Sequence, residues 1–242
     1  VAELAERVLG DTDLARRLTL EAEELFEHFN RDFWSEQRGG YYLVGLDADK
    51  EPIDSLTSNL GHLLWSGIVP NESARTIADQ LMSEDLFSGW GVRTLSRQDR
   101  GFNPIGYHTG TIWPHDNAIV ALGLARYGFR DEANRIALAQ IEAATHSSFR
   151  LPEAFAGFDR VLSGFPVPYP TACSPQAWAT GAPFLFVQAM LGHRSATQTL
   201  ARYGQQRRRH RRLDQHVNAA LGGAGAVGDD RVRRRLAPGA GR

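Results

Sequence analysis

Residues 103–128 read NPIGYHTGTIWPHDNAIVALGLARYG. The first half mixes Gly, Pro, aromatic and polar residues, the composition of a loop. The second half is apolar nearly all round, and a helix without a wet face is buried on every side. Tyr107, His108, Trp113, His115 and Asp116 therefore gather at the mouth of a buried helix. What surrounds that helix decides the fold.

Two other segments have the same character: GHLLWSGIV at 61–69 and QAWATGAPFLFVQAML at 176–191. The three are spaced by roughly sixty residues, a coarse structural repeat. Between them lie helices of another kind, apolar along one stripe and polar opposite. Leu14, Leu18, Ala22, Leu25, Phe26 and Phe29 make such a stripe over 12–31. Ala74, Ile77, Ala78, Leu81 and Met82 repeat it over 72–83, and Ala133, Ile136, Ala137, Ile141 and Ala144 over 130–145. Inner helices alternating with outer ones predict an all-α fold of the α/α toroid type. The β-branched runs that a βαβ sheet needs are missing between the helices. One small hairpin is expected in GGYYLVGLDADKEPID, turning near Asp47 to Asp49. The long connections 84–114 and 146–175 both precede an inner helix, which puts them at one end of the toroid. Connections of that length are often functional.

Net charge is −1 over 242 residues, with no overall nucleic-acid signature. The balance is uneven: residues 201–242 carry eleven Arg and three Asp, or +8, leaving −9 for the first 200. The expected division is a helical domain over 1–193 and an Arg- and Gly-rich tail over 194–242. A basic run could meet RNA or an acidic surface. Its poverty in large apolar residues reads instead as a disordered or out-of-frame end, so no nucleic-acid partner is expected. The single cysteine, Cys173, allows no internal disulfide, consistent with a reducing, cytoplasmic setting. No apolar run reaches the roughly 18–20 residues of a membrane span. The first residues, VAELAERVLG, read as the end of a helix entered midway, and a fragment is the expectation.

Three stretches offer chemistry. In LPEAFAGF, Glu153 follows Pro152 and lies near Phe155 and Phe158, which suits a general acid or base but, on these residues alone, more often marks a surface or capping carboxylate. In SGWGVRTLS, Trp90 and Arg93 flank small residues; they suit a sugar ring, or a core plug with an Arg passing it. His108 and His115 stand seven residues apart with Asp116 next, and Asp116 could cap the helix. No HExxH motif or second cysteine completes a zinc set, so neither metal nor cofactor is expected. The GxGxxG at Gly223, Gly225 and Gly228 follows no strand and carries no meaning.

SNLGHLLWSGIVP, LFSGWGVRTLS, NPIGYHTGTIWPHDNAIVALGLARYGF, LPEAFAGF and FPVPYPTACSPQAWATGAPFLF occur in that order. Together they resemble the C-terminal half of bacterial amylo-α-1,6-glucosidases, debranching-type glycosidases built on an (α/α)6 barrel. The resemblance covers about residues 1–193. It implies inverting hydrolysis of an α-glucosidic bond in an α-glucan or small glucoside, with acid and base about 6.5–9.5 Å apart. The family's base precedes the last inner helix, which implies Glu153; its acid is an Asp expected upstream of Val1. Asp85 and Asp116 are local candidates for that second role. The implied sugar-binding set is Trp65, Trp90, Arg93, Tyr107, His108, Trp113, His115, Asp116, Gln176 and Trp178. A half toroid would leave helix edges bare, so self-association is expected.

Overall fold

The computed structural model describes residues 1–192. The expected tail lies outside the described residues. Helices α1 (Ala2–Arg7) and α2 (Thr12–Asp32) come first, and the Asp11 side chain caps α2 by accepting from Leu14 N at 2.8 Å. Two hairpins follow where one was expected. Strand β1 (Trp34–Ser35) pairs with β2 (Tyr41–Tyr42), and β3 (Gly45–Leu46) with β4 (Pro52–Ile53), both antiparallel. The second turns at the expected place, where Asp47 Oδ1 accepts from Asp49 N at 2.9 Å and Glu51 N at 2.8 Å. The first escaped sequence reading because two-residue strands show no alternation to detect.

The rest is helical hairpins: α3 (Asn59–Ser66), α4 (Asn71–Met82), α5 (Pro114–Arg126), α6 (Arg130–Thr145), the single turn α7 (Arg160–Ser163) and α8 (Ala182–Leu191). Helix α5 forms readily. Pro114 pre-sets the first turn, Asp116 favours the positive end of the helix dipole, and Ala and Leu fill the body. It lies between α3 and α8 and packs on α6 as well. Parallel α3 and α5 approach closely at glycines: a Cβ on Gly61 would lie 2.5 Å from Val120 Cγ2, and one on Gly123 2.5 Å from Gly61 O.

Burial on every side holds for α5 alone. The flanking inner helices have one free side each, which exposes Trp65 on α3 and Phe184 and Leu191 on α8. The stripe of α4 is buried as expected, with Ile77 and Leu81 at 0% exposure, each worth about 1.5–3 kcal/mol of burial. On α6 the buried face runs through Ala133, Ile136, Ala137, Ala139 and Gln140, and Ile141 turns outward. Helix α2 departs most. Ala15 is its one buried residue, and Leu25 and Phe26 face solvent.

The long loops are stitched together. Isolated antiparallel bridges join Phe87 to Val92, Arg93 to Ile112, Ile112 to Phe155, and Phe155 to Pro168. Asn117, in the first turns of α5, clamps the backbone of Val92, accepting from its N–H at 2.7 Å and donating to its carbonyl at 3.0 Å. The loops thereby lie over the N-terminal end of α5, the end predicted from their position before the inner helices.

Candidate active site

Ile112 pairs with Phe155 in both directions, Ile112 N to Phe155 O at 2.9 Å and Phe155 N to Ile112 O at 3.0 Å. This brings the loop entering α5 against the loop carrying Glu153. Tyr107 Oη then donates to Glu153 Oε1 at 2.6 Å. The backbone N–H of Cys173 reaches Glu153 Oε2 at 3.3 Å, and Glu153 N donates to Cys173 O at 2.9 Å. Glu153 is 8% exposed. The Tyr107 hydroxyl holds the Glu153 carboxyl below its ordinary value; burial opposes this, while Cys173 N–H, the Gln176 side chain and His108 add to it. The same bond pushes the Tyr107 phenol up to about 12, so it stays a donor at neutral pH.

An aromatic group continues from this pair. Tyr107 meets Trp113 edge-on at 4.7 Å and Tyr169 at 5.5 Å between ring centres. His108 stacks on Trp113 at 5.4 Å, and His115 stacks on Trp178 at 4.2 Å. Trp113 is buried, and its indole N–H is shared between Tyr107 O at 3.1 Å and Thr111 Oγ1 at 2.9 Å, so it anchors the group. Tyr107, His108 and Trp178 present surface to solvent. Asp116 makes no cap. Its Oδ1 lies 2.6 Å from Nε2 of His62, which arrives from α3. Burial pushes the His115 imidazole below its ordinary value, against the pull of Asp116, which leaves it neutral at neutral pH.

Eight of the expected residues thus meet at one end of the molecule: Tyr107, His108, Trp113, His115, Asp116, Glu153, Gln176 and Trp178. Three do not. Trp65 sits toward the far end of α3, where its carbonyl accepts from Arg126, the last residue of α5 and roughly 18 Å from its start. Trp90 is 1% exposed and packs with Ile112, Ala143 and Phe155, under the Arg160 guanidinium at 4.4 Å. Arg93 is 1% exposed and fully engaged: Nε donates to Gly157 O at 2.7 Å, and its terminal nitrogens to Glu84 O at 3.1 Å and Asp159 Oδ1 at 2.6 Å. A buried indole and a saturated guanidinium offer nothing to a ligand, so this pair braces the loops. Asp85 is likewise committed, to Arg97 at 3.1 Å. Sequence reading missed His62 and Tyr169. The signal for His62 was a lone imidazole inside an otherwise apolar run, GHLLW.

Among the described residues, no group of three or more His, Cys, Asp or Glu side chains is placed to hold a metal ion, and no helix is long and apolar enough to cross a membrane.

A hydrogen-bonded carboxylate beside an open aromatic wall thus lies over hairpins of inner and outer helices, and the family of the chain is that of a glycoside hydrolase domain. The chain belongs to the mannosylglycerate hydrolase MGH1-like glycoside hydrolase domain family, whose model matches residues 1–158. It is similar to a mannosylglycerate hydrolase of Rubrobacter radiotolerans, 30% identical over 154 residues, 62% of this chain and 34% of that protein. Its fold matches neutral trehalase Nth1 of Saccharomyces cerevisiae with a TM-score of 0.61 at 16% identity, over 78% of this chain and 35% of the trehalase. It also matches a GH63 mannosylglycerate hydrolase of Thermus thermophilus in complex with glucose, with a TM-score of 0.53 at 19% identity, over 73% and 40% of the two chains. The (α/α)6 toroid fold is thereby shown. The chain spans between about a third and two fifths of the length of these proteins.

Proposed function

We propose that this chain supplies the general-base side of an inverting glycoside hydrolase site, with Glu153 as the base. In that reaction a carboxylate activates water against the anomeric carbon while an acid on the opposite face protonates the leaving oxygen. The observation carrying the reading is the environment of Glu153. Tyr107 and the Cys173 amide both donate to it, which keeps it ionised and ready to accept a proton from water. Each carboxylate oxygen has two acceptor sites, so these donors still leave room for that water.

The substrate class that the family supports is a small glycoside of the mannosylglycerate type, a hexose joined to a hydroxy acid. The narrower expectation of α-1,6-glucosidic bonds in glycogen or another α-glucan has no observation in its favour over this one. The motifs of the site suit a sugar but select no linkage. A chain that binds sugars without cleaving them is the competing outcome, since the two local candidates for the acid are engaged elsewhere, Asp85 by Arg97 and Asp116 by His62.

The test, in a protein that carries both the base and the acid, is hydrolysis of mannosylglycerate, glucosylglycerate and maltooligosaccharides, followed as free hexose. Mannosylglycerate should turn over fastest. Glu153→Gln should lower kcat by about 10²–10⁴-fold with KM little changed. Near-normal turnover in that variant rejects Glu153 as the base. Saturable binding without any hexose release supports the binding-only outcome.

A further inference from the structure

Behind the loop that carries Glu153 lies a cavity of about 130 Å³. Pro152 and Ala154 line it, whereas Glu153 between them turns to Tyr107. Ala172 and Ser174 line it too, whereas Cys173 between them exchanges hydrogen bonds with Glu153. Another wall is Tyr169, whose ring lies 5.5 Å from that of Tyr107. The floor is Ala143 of α6 and Phe155, both buried and in one cluster with Trp90. Pro166 and Pro168 close a side. His146, Ser147 and Ser174 are exposed or half-buried, so the mouth is polar and the depth is not.

We propose that this cavity is a second ligand site, for a single apolar ring bearing one hydroxyl, of the phenol type, and that its occupant braces Glu153 from behind. Size sets the first limit: an apolar cavity of about 150 Å³ holds one benzene ring. Chemistry sets the second. A hexose would turn hydroxyls towards prolines and alanines, and each hydroxyl buried without a partner is penalised. A sugar is therefore excluded here. A phenol meets no such penalty: its ring covers the floor, and its hydroxyl stays at the mouth with His146, Ser147 or Ser174. Empty space also forgoes contacts on the atoms that border it, here the backs of the two segments that hold the carboxylate. Filling it favours the arrangement in which Glu153, Cys173 and Tyr107 are engaged with one another. The site itself is independent of the role given to Glu153; its bearing on catalysis rests on that role.

Phenol is the probe, titrated into the full chain and followed by NMR of labelled alanine methyls, tryptophan indoles and the Glu153 carboxyl. The methyls of Ala143, Ala154 and Ala172 and the indole of Trp90 should shift saturably, and the Glu153 carboxyl with the same midpoint. Methyl α-D-glucoside should leave the three methyls unmoved. Ala172→Leu, at a half-buried wall position, takes up part of the space and should weaken phenol by about tenfold or more. Ala143→Leu should do the same from the floor. Absence of saturable shifts at these methyls on the wild-type chain overturns the proposal without reliance on any variant. Undiminished phenol affinity in a folded Ala172→Leu chain overturns it too. A Glu153 carboxyl that stays still while the methyls saturate overturns the bracing and leaves the site standing. No turnover is measured, so failure here and failure of Glu153 as the base are read separately.

Discussion

The phenol of Tyr107 and the amide of Cys173 occupy different oxygens of Glu153, at 2.6 and 3.3 Å. Both donors favour the charged form, so removing one raises the carboxyl pKa towards its ordinary 4.5. In Tyr107→Phe the base should therefore stay protonated to a higher pH, and the acid limb of the kcat/KM profile should move upward. A ¹³C NMR titration of the labelled Glu153 carboxyl reads the same shift directly; no displacement in either measurement removes Tyr107 from this role. Whatever stability the pair contributes is present above the ordinary carboxylate range and is lost as pH falls through the lowered folded-state value. Glu153 and Tyr107 were legible as residues because a carboxylate after Pro and aromatics in a Gly-rich loop are marked locally. Trp90 and Arg93 were misplaced for a physical reason. An aromatic ring and a guanidinium among small residues suit a ligand platform and a packed brace equally, and the choice depends on Gly157 O and Asp159, more than sixty residues away.

At the scale of elements, the helices were the readable part. Expected spans of 12–31, 72–83 and 130–145 compare with Thr12–Asp32, Asn71–Met82 and Arg130–Thr145. Their periodicity is a local property of the chain. The contact of α3 with α5 is not, because two glycines in apolar runs do not announce that they face each other. Gly61→Ala and Gly123→Ala should each destabilise by about 1–3 kcal/mol, the usual cost of overpacking. The order is fixed by what the new methyl meets. Gly123→Ala strikes the backbone of α3, which must move as a unit, whereas Gly61→Ala strikes the Val120 side chain. Thermal melts should place Gly123→Ala below Gly61→Ala, and the reverse order would contradict the parallel packing. Asn117→Ala tests the clamp between α5 and the loop at Val92. It strands a buried N–H and a buried carbonyl, at about 1–3 kcal/mol each. Asn117→Asp keeps the acceptor but turns a buried carboxylate towards the Val92 and Trp113 carbonyls, so urea unfolding should rank it no higher than Asn117→Ala.

For the molecule as a whole, the apolar stripe of α2 is the feature that sequence reading assigned to a core and the described structure leaves open. Leu18, Ala22, Leu25 and Phe26, with Val1, Ala2 and Ile68, line a groove of about 850 Å³. Periodicity identifies an apolar face but not the element that covers it. An apolar strip of this kind favours association. Sedimentation velocity on the chain should show mass rising with concentration, and Leu25→Glu combined with Phe26→Glu should shift it towards monomer. An unchanged distribution would mean that the groove takes no part.

The bridges from Arg93 through Ile112 and Phe155 to Pro168 have a dynamic consequence. Ile112 belongs to two of them and is fully buried, so its amide should resist deuterium exchange as long as those of α5 do. The segment with the phenol and the segment with the carboxylate then breathe as one slab, and neither can swing aside as a flap while the other stays put. Warming should leave the geometry of Tyr107 and Glu153 intact until the whole slab gives way at once.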